Sequence, residues 1–164
     1  MKQITIERTT GADTRSATEV VSKDVLLRES HLHRSHVRRV VAALAADLLE
    51  RAERHDHTKI ELIDDFHDNF AAAMRKEIPF KDHRWWAAHL TEKHHINDRE
   101  HEDADLLDLL EMVVDCVCAG KARTGSVFPI QVASETLQRL LANTSAKLME
   151  AVEVEPALEP AHEG

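Results

Sequence analysis

The sequence predicts an all-α protein, and three features of its composition point that way. Only 4 glycines and 4 prolines occur in 164 residues, so few residues interrupt helices. Hydrophobic residues make up 43% of the chain, which is enough for one domain with its own core. Aromatic residues make up 4% and tyrosine is absent, whereas the strands of β-sandwiches and barrels favour aromatic residues. We expect a compact bundle of about five to six helices behind a short extended N-terminal arm.

Three segments differ in composition along the chain. Residues 1–29 are predicted to form the N-terminal arm, with a weakly alternating start and a polar loop at Gly11–Ser16. Residues 30–152 carry the helical patterns and are predicted to form one domain. Residues 153–164 contain two of the prolines and are predicted to be a disordered acidic tail.

The first predicted helix runs from about Ser30 to Glu53, where apolar residues recur at helical spacing. His36 lies one turn before Val40, at the edge of the apolar stripe. The stripe consists of Val37, Val40, Val41, Leu44, Leu48 and Leu49.

A second helix is predicted from Thr58 to about Lys76. Thr58 and Glu61 have the spacing of a capping box, in which each side chain satisfies a free backbone N–H group of the other residue. The dipeptide His55-Asp56 then lies at the junction between two helices. A third, shorter helix is predicted around Trp85-Trp86 and ends near His94-His95.

The fourth predicted helix is the most apolar and runs from about Asp105 to Ala119, where Gly120 is predicted to end it. Asp108, Glu111 and Asp115 share one side of this helix at positions i, i+3 and i+7. Carboxylates on a mostly buried helix need compensation, which a metal ion or an arginine can provide.

Charge and hydropathy limit the partners of the chain. A net charge of −9 without a basic, aromatic-rich run disfavours bulk binding of nucleic acid. No secretory signal or membrane span is predicted, and Cys116 and Cys118 are expected to be reduced, so the predicted location is the cytoplasm. A last, leucine-rich helix from about Ser134 to Val152 allows a homodimer.

Histidine is unusually frequent: the chain has 12, and all but His162 lie between His31 and His101. Histidine is a common ligand of transition metals, so this concentration favours a metal site over scattered surface residues. His55-Asp56 offers a nitrogen and an oxygen donor from adjacent residues, a combination that suits Mn, Fe, Co, Ni or Zn.

Two alternatives remain open for the carboxylates of such a site. In the first alternative, Asp56 binds no metal and its charge stabilises a helix N-terminus. In the second alternative, Asp115 is a buried carboxylate that pairs with an arginine instead of a metal ion, and Arg84 and Arg123 are the candidates.

The ordered series His36, His55-Asp56 and Asp115 on a helical scaffold resembles the HD-domain metal-dependent phosphohydrolases. The continuation of the dipeptide to His57-Thr58-Lys59 is similar to the frequent form of their second motif. Together with the following segments, the chain looks closest to a small uncharacterised HD-like family common in phage genomes, over roughly residues 30 to 145. The segments are His36-Val37-Arg38-Arg39-Val40, His94-His95 and Asp108 to Asp115.

The resemblance implies a set of functional residues. The primary metal ligands are then His36, His55, Asp56 and Asp115. His55 is only 19 positions after His36, so His31 or His33 is an alternative first ligand. A second ion is implied near the histidines between the dipeptide and Asp115, which are His89, His94 and His95.

The resemblance also implies hydrolysis of a nucleotide or another small phosphomonoester, with one or two divalent ions. Lys59 is then expected to contact the substrate phosphate, with help from Lys121 or Arg123. Glu111 is expected to orient the attacking water or accept its proton, provided that burial raises its pKa.

Two other functions fit the same residues. One is a mixed-valent di-iron oxygenase, which also occurs on HD-like scaffolds and uses additional histidines for a second iron. The other is a non-catalytic helical interaction protein with a vestigial or structural metal site, since a fold alone does not fix a function.

Overall fold

A computed structural model of the chain describes residues 2–9 and 17–155. These residues are mostly helical, which confirms the predicted all-α class. The predicted loop at Gly11–Ser16 and the tail beyond Glu155 lie outside the described residues. In the described part, no helix is both long and apolar enough to span a bilayer. The elements are β1 (Ile4–Glu7), α1 (Lys23–Arg54), α2 (His57–Glu61), α3 (Ile63–Met74), α4 (Arg84–His89), α5 (Leu106–Thr124), α6 (Ser134–Ala151) and β2 (Val152–Glu155), with a 3-10 turn at Phe80–Asp82.

The chain divides into two compact units. Among the described residues, one unit comprises residues 2–9, 17–47 and 146–155, and the other comprises residues 48–145. The predicted division into arm, domain and tail stays a prediction.

In the first unit, β1 and β2 form a two-stranded parallel sheet in which Ile4 is opposite Val152 and Ile6 is opposite Val154. The alternation of apolar and polar residues in both segments suits strands that have one covered face. Ile4 is buried. Residues 153–155, predicted to be part of a disordered tail, therefore lie in a strand.

The start of α1 also differs from the prediction. The helix begins at Lys23, within the predicted arm, because Ser22 caps it: the Val25 N–H donates to Ser22 Oγ at 3.3 Å. Asp24 in the first turn adds a negative charge at the positive end of the helix.

The second unit has a small apolar core and a buried ionic group at the start of α5. Asp105 and Asp108 form a reciprocal capping box at the helix N-terminus. The Arg51 guanidinium binds both Asp105 oxygens, at 2.8 and 2.9 Å, and also donates to Asp108. Asp108 thus has the arginine partner that a buried carboxylate needs. The core consists of Ile96, Ala104, Met112 and Leu140, against which Leu106, Leu109, Cys116 and Val132 pack.

The predicted second helix is two helices, α2 and α3, which meet at Leu62. The capping box predicted for Thr58 is wrong. Asp56 occupies the N-cap position with a left-handed backbone (φ 56°), and Thr58 lies inside α2 with its N–H and hydroxyl both donated to Glu92. A distant carboxylate has replaced the local Glu61 as the partner of Thr58.

Gly120 does not end α5, as predicted, but lies inside it. The helix continues to Thr124, and Gly125, with φ 74°, provides the left-handed cap. Gly120 is required for another reason: a Cβ there would lie 2.5 Å from Ser126 O and 2.7 Å from Phe128 N. The chain after α5 therefore folds back directly over this glycine.

We expect Gly120→Ala to lower the free energy of unfolding by about 3 kcal/mol, because the backbone of residues 126–128 must move to admit a methyl group. The matched control is Gly125→Ala, whose Cβ would meet nothing within 4 Å and would cost only about 1 kcal/mol of left-handed strain. Urea denaturation of both variants measures the difference. Equal losses would contradict the close approach.

Candidate metal centre

Eight histidine and carboxylate side chains converge within the second unit. They come from three segments: the turn between α1 and α2, the end of α4 with the turns that follow it, and one side of α5. The side chains are His55, Asp56, His89, Glu92, His94, His95, Glu111 and Asp115.

Asp56 lies at the centre of this cluster, and its two oxygens face different histidines. Oδ1 lies 3.6 Å from His89 Nε2 and 3.7 Å from His94 Nε2. Oδ2 lies 3.6 Å from His55 Nε2 and accepts a hydrogen bond from Lys59 Nζ. The left-handed backbone at Asp56, which aspartate tolerates better than most residues, places the carboxylate in this position.

Three of the histidines are held in the same way, with Nδ1 against a carboxylate. His55 Nδ1 and His94 Nδ1 lie 2.8 and 3.2 Å from Glu111 Oε1. His89 Nδ1 lies 3.3 Å from Glu92 Oε1. A carboxylate that accepts the Nδ1 proton leaves the Nε2 lone pair of a neutral imidazole free, which is the usual arrangement behind a metal-binding histidine.

His89 is further held by Thr58 and Trp85. The Thr58 hydroxyl oxygen lies 2.8 Å from His89 Nδ1, and the same hydroxyl donates to Glu92. The buried Trp85 ring stacks on the imidazole with centroids 4.8 Å apart, and its Nε1–H donates to Thr58 O at 3.4 Å. These contacts restrict both the rotation and the tautomer of His89.

Two polar atoms at the centre of the cluster are buried without a hydrogen-bond partner among the described residues: Asp56 Oδ1 and His94 Nε2. His89 Nε2 and His95 Nε2 lie only 2.8 Å apart, so a proton or a cation must lie between them. Burial, followed by the charge of His94, lowers the pKa of His95 to about 4, which leaves this imidazole neutral and able to bind a metal.

The donor atoms fit a divalent cation in a mixed nitrogen and oxygen environment. Within residues 2–9 and 17–155, three groups of three side chains have ligand atoms that all lie within 4.8 Å of one another. They are His55 with His94 and Glu111, Asp56 with His94 and His95, and Asp56 with His89 and Glu92.

The carboxylates strongly favour protonation of two histidines. The adjacent Asp115 carboxylate and the hydrogen bond to Glu111 raise the pKa of His55 to about 10. Burial lowers the pKa of His94, but Asp56 and Glu111 outweigh it and raise the value to about 9. A metal ion must therefore displace protons from both rings.

Glu111 does not meet the condition set for a proton acceptor. Burial raises its pKa, but the hydrogen bonds from His55 and His94 outweigh burial and lower the pKa to about 2. A carboxylate that is already shared by two imidazole N–H groups orients those rings, and it is a weak base.

The first predicted ligand, His36, lies in the first unit. It is buried in the middle of α1, and its Nε2 lies 3.2 Å from Glu7 Oε2. None of the metal-capable groups among residues 2–9 and 17–155 includes it. His31 and His33, the alternatives, are exposed on the same helix.

Among the described residues, Asp115 and Lys59 contact residues of the cluster, whereas the other predicted basic residues do not. Asp115 Oδ1 lies 3.5 Å from His55 Nε2, whereas Arg84, one of its candidate partners, pairs with Asp65. Lys59 is bonded to Asp56. The side chains of Lys121 and Arg123, predicted to assist Lys59, are exposed near the end of α5.

The sequence pattern did not indicate Glu92 or the role of Thr58. Glu92 is buried and connects α2 to the histidines, through Thr58 on one side and His89 on the other. Its spacing of three residues from His89 was the available signal, because such neighbours lie on one side of a helical turn.

No family model, curated protein or solved structure matches this chain. The resemblance to HD-domain phosphohydrolases therefore stays a prediction from the residues.

Proposed function

We propose that this chain is a metal-dependent phosphohydrolase whose centre holds two divalent transition-metal ions and acts on a nucleotide or another small phosphomonoester. The observation that carries the proposal is the arrangement of histidines around Asp56. Ring nitrogens face each of its two oxygens, and carboxylates hold three of these rings by Nδ1.

The first metal position is built from His55 Nε2, Asp56 Oδ2 and Asp115 Oδ1. His55 Nε2 lies 3.6 and 3.5 Å from these two oxygens, but the three atoms do not all lie within 4.8 Å of one another, so the two carboxylates must move closer together to share one ion. Occupation of this position requires Lys59 to give up its hydrogen bond to Asp56.

The second position is built from Asp56 Oδ1 with His89, His94 and His95. This group contains the two buried atoms of the cluster that have no hydrogen-bond partner, Asp56 Oδ1 and His94 Nε2. It also contains the close pair of Nε2 atoms from His89 and His95. A buried carboxylate oxygen without a hydrogen bond is costly, and a bound cation would compensate for it.

When bound, divalent ions lower the pKa of water and offset negative charge on a phosphoryl oxygen. The chain contributes the other requirements of hydrolysis. Lys59 Nζ, at the partly exposed edge of the cluster, offers a mobile positive charge to the substrate phosphate once Asp56 binds metal. Glu111 and Glu92 keep the rings of His55, His94 and His89 in their metal-binding tautomers.

The donor set by itself also fits a di-iron oxygenase, and Lys59 is the residue that favours hydrolysis. An ammonium group beside a metal ligand assists the binding of an anionic substrate. It has no evident role in activating molecular oxygen.

Metal analysis combined with phosphate release tests the proposal. Protein purified without chelator is expected to contain about two equivalents of metal. It is also expected to release phosphate from at least one member of a panel of nucleotides and simple phosphomonoesters. Chelator should abolish the activity, and added Mn²⁺, Co²⁺ or Zn²⁺ should restore it.

Lys59→Ala is the diagnostic variant. It should retain the metal and lose about 10-fold or more in kcat/KM, because it removes one charge contact to the phosphate. Lys93→Ala is the control, since Lys93 pairs with Asp103 instead of a residue of the centre. Two irons without phosphate release would favour the oxygenase, and absence of metal would exclude both enzymes.

A further inference from the structure

The two adjacent tryptophans of α4 have different surroundings. Trp85 is 1% exposed, and two rings stack on it nearly in parallel, Phe66 at an interplanar angle of 23° and His89 at 14°. Trp86 is partly exposed, and the rings that contact it in the described part of the chain are inclined to it by 50–62°. Trp85 is therefore a core residue, whereas no described ring stacks on a face of Trp86.

The group that lies over the Trp86 ring is a cation. Lys81 Nζ lies 5.3 Å from the ring centroid, and it binds Asp98 Oδ1 at 2.7 Å. The Lys81 side chain is 66% exposed, so it is free to move away from the ring into solvent. Loss of an exposed contact between a cation and a ring costs about 2- to 5-fold in affinity, whereas loss of a base stacked on an aromatic side chain costs about 5- to 150-fold. An aromatic base is therefore able to displace the ammonium group.

Trp86 also adjoins the proposed second metal position. Its ring centroid lies 5.6 Å from that of His89 and 6.1 Å from that of His95. The Nε2 atoms of these two imidazoles, which belong to the second position, lie 2.8 Å apart. A single imidazole ring thus separates Trp86 from the proposed site of the ion. In a nucleotide, a single ribose separates the base from the 5′-phosphate, so the two groups suit these two places.

We propose that Trp86 binds the base of a nucleotide substrate by stacking. The inference rests on the proposed phosphohydrolase function, and it selects nucleotides from the wider class of small phosphomonoesters. The phosphate binds at the metal centre, and the base takes the place of Lys81 on the ring. Stacking accepts any base, because every base has a flat aromatic face. Trp86 therefore distinguishes a nucleotide from a sugar phosphate, and it does not distinguish one base from another.

Fluorescence of the full chain, as purified, tests the stacking directly. The chain has only two tryptophans, and Trp85 is buried, so quenching by an added ligand reports on Trp86. AMP is expected to quench the fluorescence, and ribose 5-phosphate, which has the same phosphoester and no base, is expected not to. Trp86→Leu should abolish the quenching by AMP. Equal quenching by the two ligands, or quenching that survives in Trp86→Leu, would overturn the proposal.

Steady-state kinetics separate stacking from packing. Trp86→Leu should raise KM for AMP by about 10-fold or more relative to KM for ribose 5-phosphate, because it removes the stacked base contact. Trp86→Phe, which keeps an aromatic face, should recover most of this loss. Phe70→Leu is the matched control, since Phe70 is a 52% exposed aromatic residue of α3. Equal changes of KM for both substrates in Trp86→Leu would contradict a contact with the base.

The binding of the base and the hydrolysis of the phosphoester fail separately in these experiments. Quenching by AMP without phosphate release from any ester would support the base site and exclude hydrolysis. Phosphate release from AMP without quenching would support hydrolysis and overturn the role of Trp86. Circular dichroism of Trp86→Leu and Trp86→Phe should match the wild type, because the ring at this position is partly exposed.

Discussion

Asp56→Ala is expected to remove both metal ions, whereas Asp115→Ala is expected to remove only one. Asp56 belongs to both of the proposed metal positions, since Oδ2 faces His55 and Oδ1 faces His89 and His94. Asp115 contacts only His55 among the histidines of the centre. The bound metal should fall from about two equivalents to none in the first variant and to about one in the second.

Elemental analysis after gel filtration, with phosphate release measured in parallel, checks this result. Activity should fall by about 1,000-fold or more in Asp56→Ala, because both the ions and the position of Lys59 are lost. Asp68→Ala is the control, since Asp68 is an exposed aspartate on α3. Equal metal loss in Asp115→Ala and Asp56→Ala would show that Asp56 does not join two positions.

Metal affinity is expected to fall steeply as the pH is lowered. The carboxylates raise the pKa of His55 to about 10 and that of His94 to about 9, so both rings carry an extra proton in the metal-free protein at neutral pH. Each position must displace one of these protons to bind its ion. Below about pH 9, each affinity should therefore fall about tenfold per pH unit, or about 100-fold between pH 8 and pH 6.

The other proposed ligands do not add to the pH dependence of metal affinity. The pKa values of Asp56 and Asp115 are lowered, so both carboxylates stay ionised over this range, and His95, with a pKa of about 4, stays neutral. Competition with a chromophoric chelator at several pH values, corrected for the chelator's own titration, measures the slope. An affinity that is constant between pH 6 and 8 would contradict the protonated state of His55 and His94.

The parts of the fold that the sequence predicted best are the strongly periodic ones. The predicted bounds of α5 and α6 agree with the structure to within a few residues, apart from the end of α5. The end of α5 was predicted at Gly120 and is wrong, because glycine is common both at helix ends and where two backbones approach closely. Only the return of the chain over Gly120 distinguishes the two.

The break between α2 and α3 shows what a local pattern misses. Thr58 and Glu61 have capping-box spacing, yet Thr58 binds Glu92, which is 34 residues away. A long-range contact to a buried carboxylate outweighed the local alternative. No propensity of residues 57–62 contains that information.

The same distinction holds for the candidate centre. The sequence pointed to His55, Asp56, His89, His94 and Asp115, which lie together, because adjacent donors and repeated histidines are visible in the chain itself. Glu92 was missed because an isolated glutamate in a turn resembles any solvated residue. His36 was included by resemblance, and its neighbour in the structure is Glu7.

The sharing of Glu111 has a consequence for how such a centre can change over time. One oxygen, Oε1, contacts Nδ1 of His55, a ligand of one proposed metal position, and Nδ1 of His94, a ligand of the other. A substitution at Glu111 that adapts one position to a new metal therefore alters the other as well. Only a residue that contacts one position can change the metal preference of that position alone, and Asp115 and Glu92 are such residues. Mutations that change metal preference should therefore accumulate at these two residues while Glu111 stays constant.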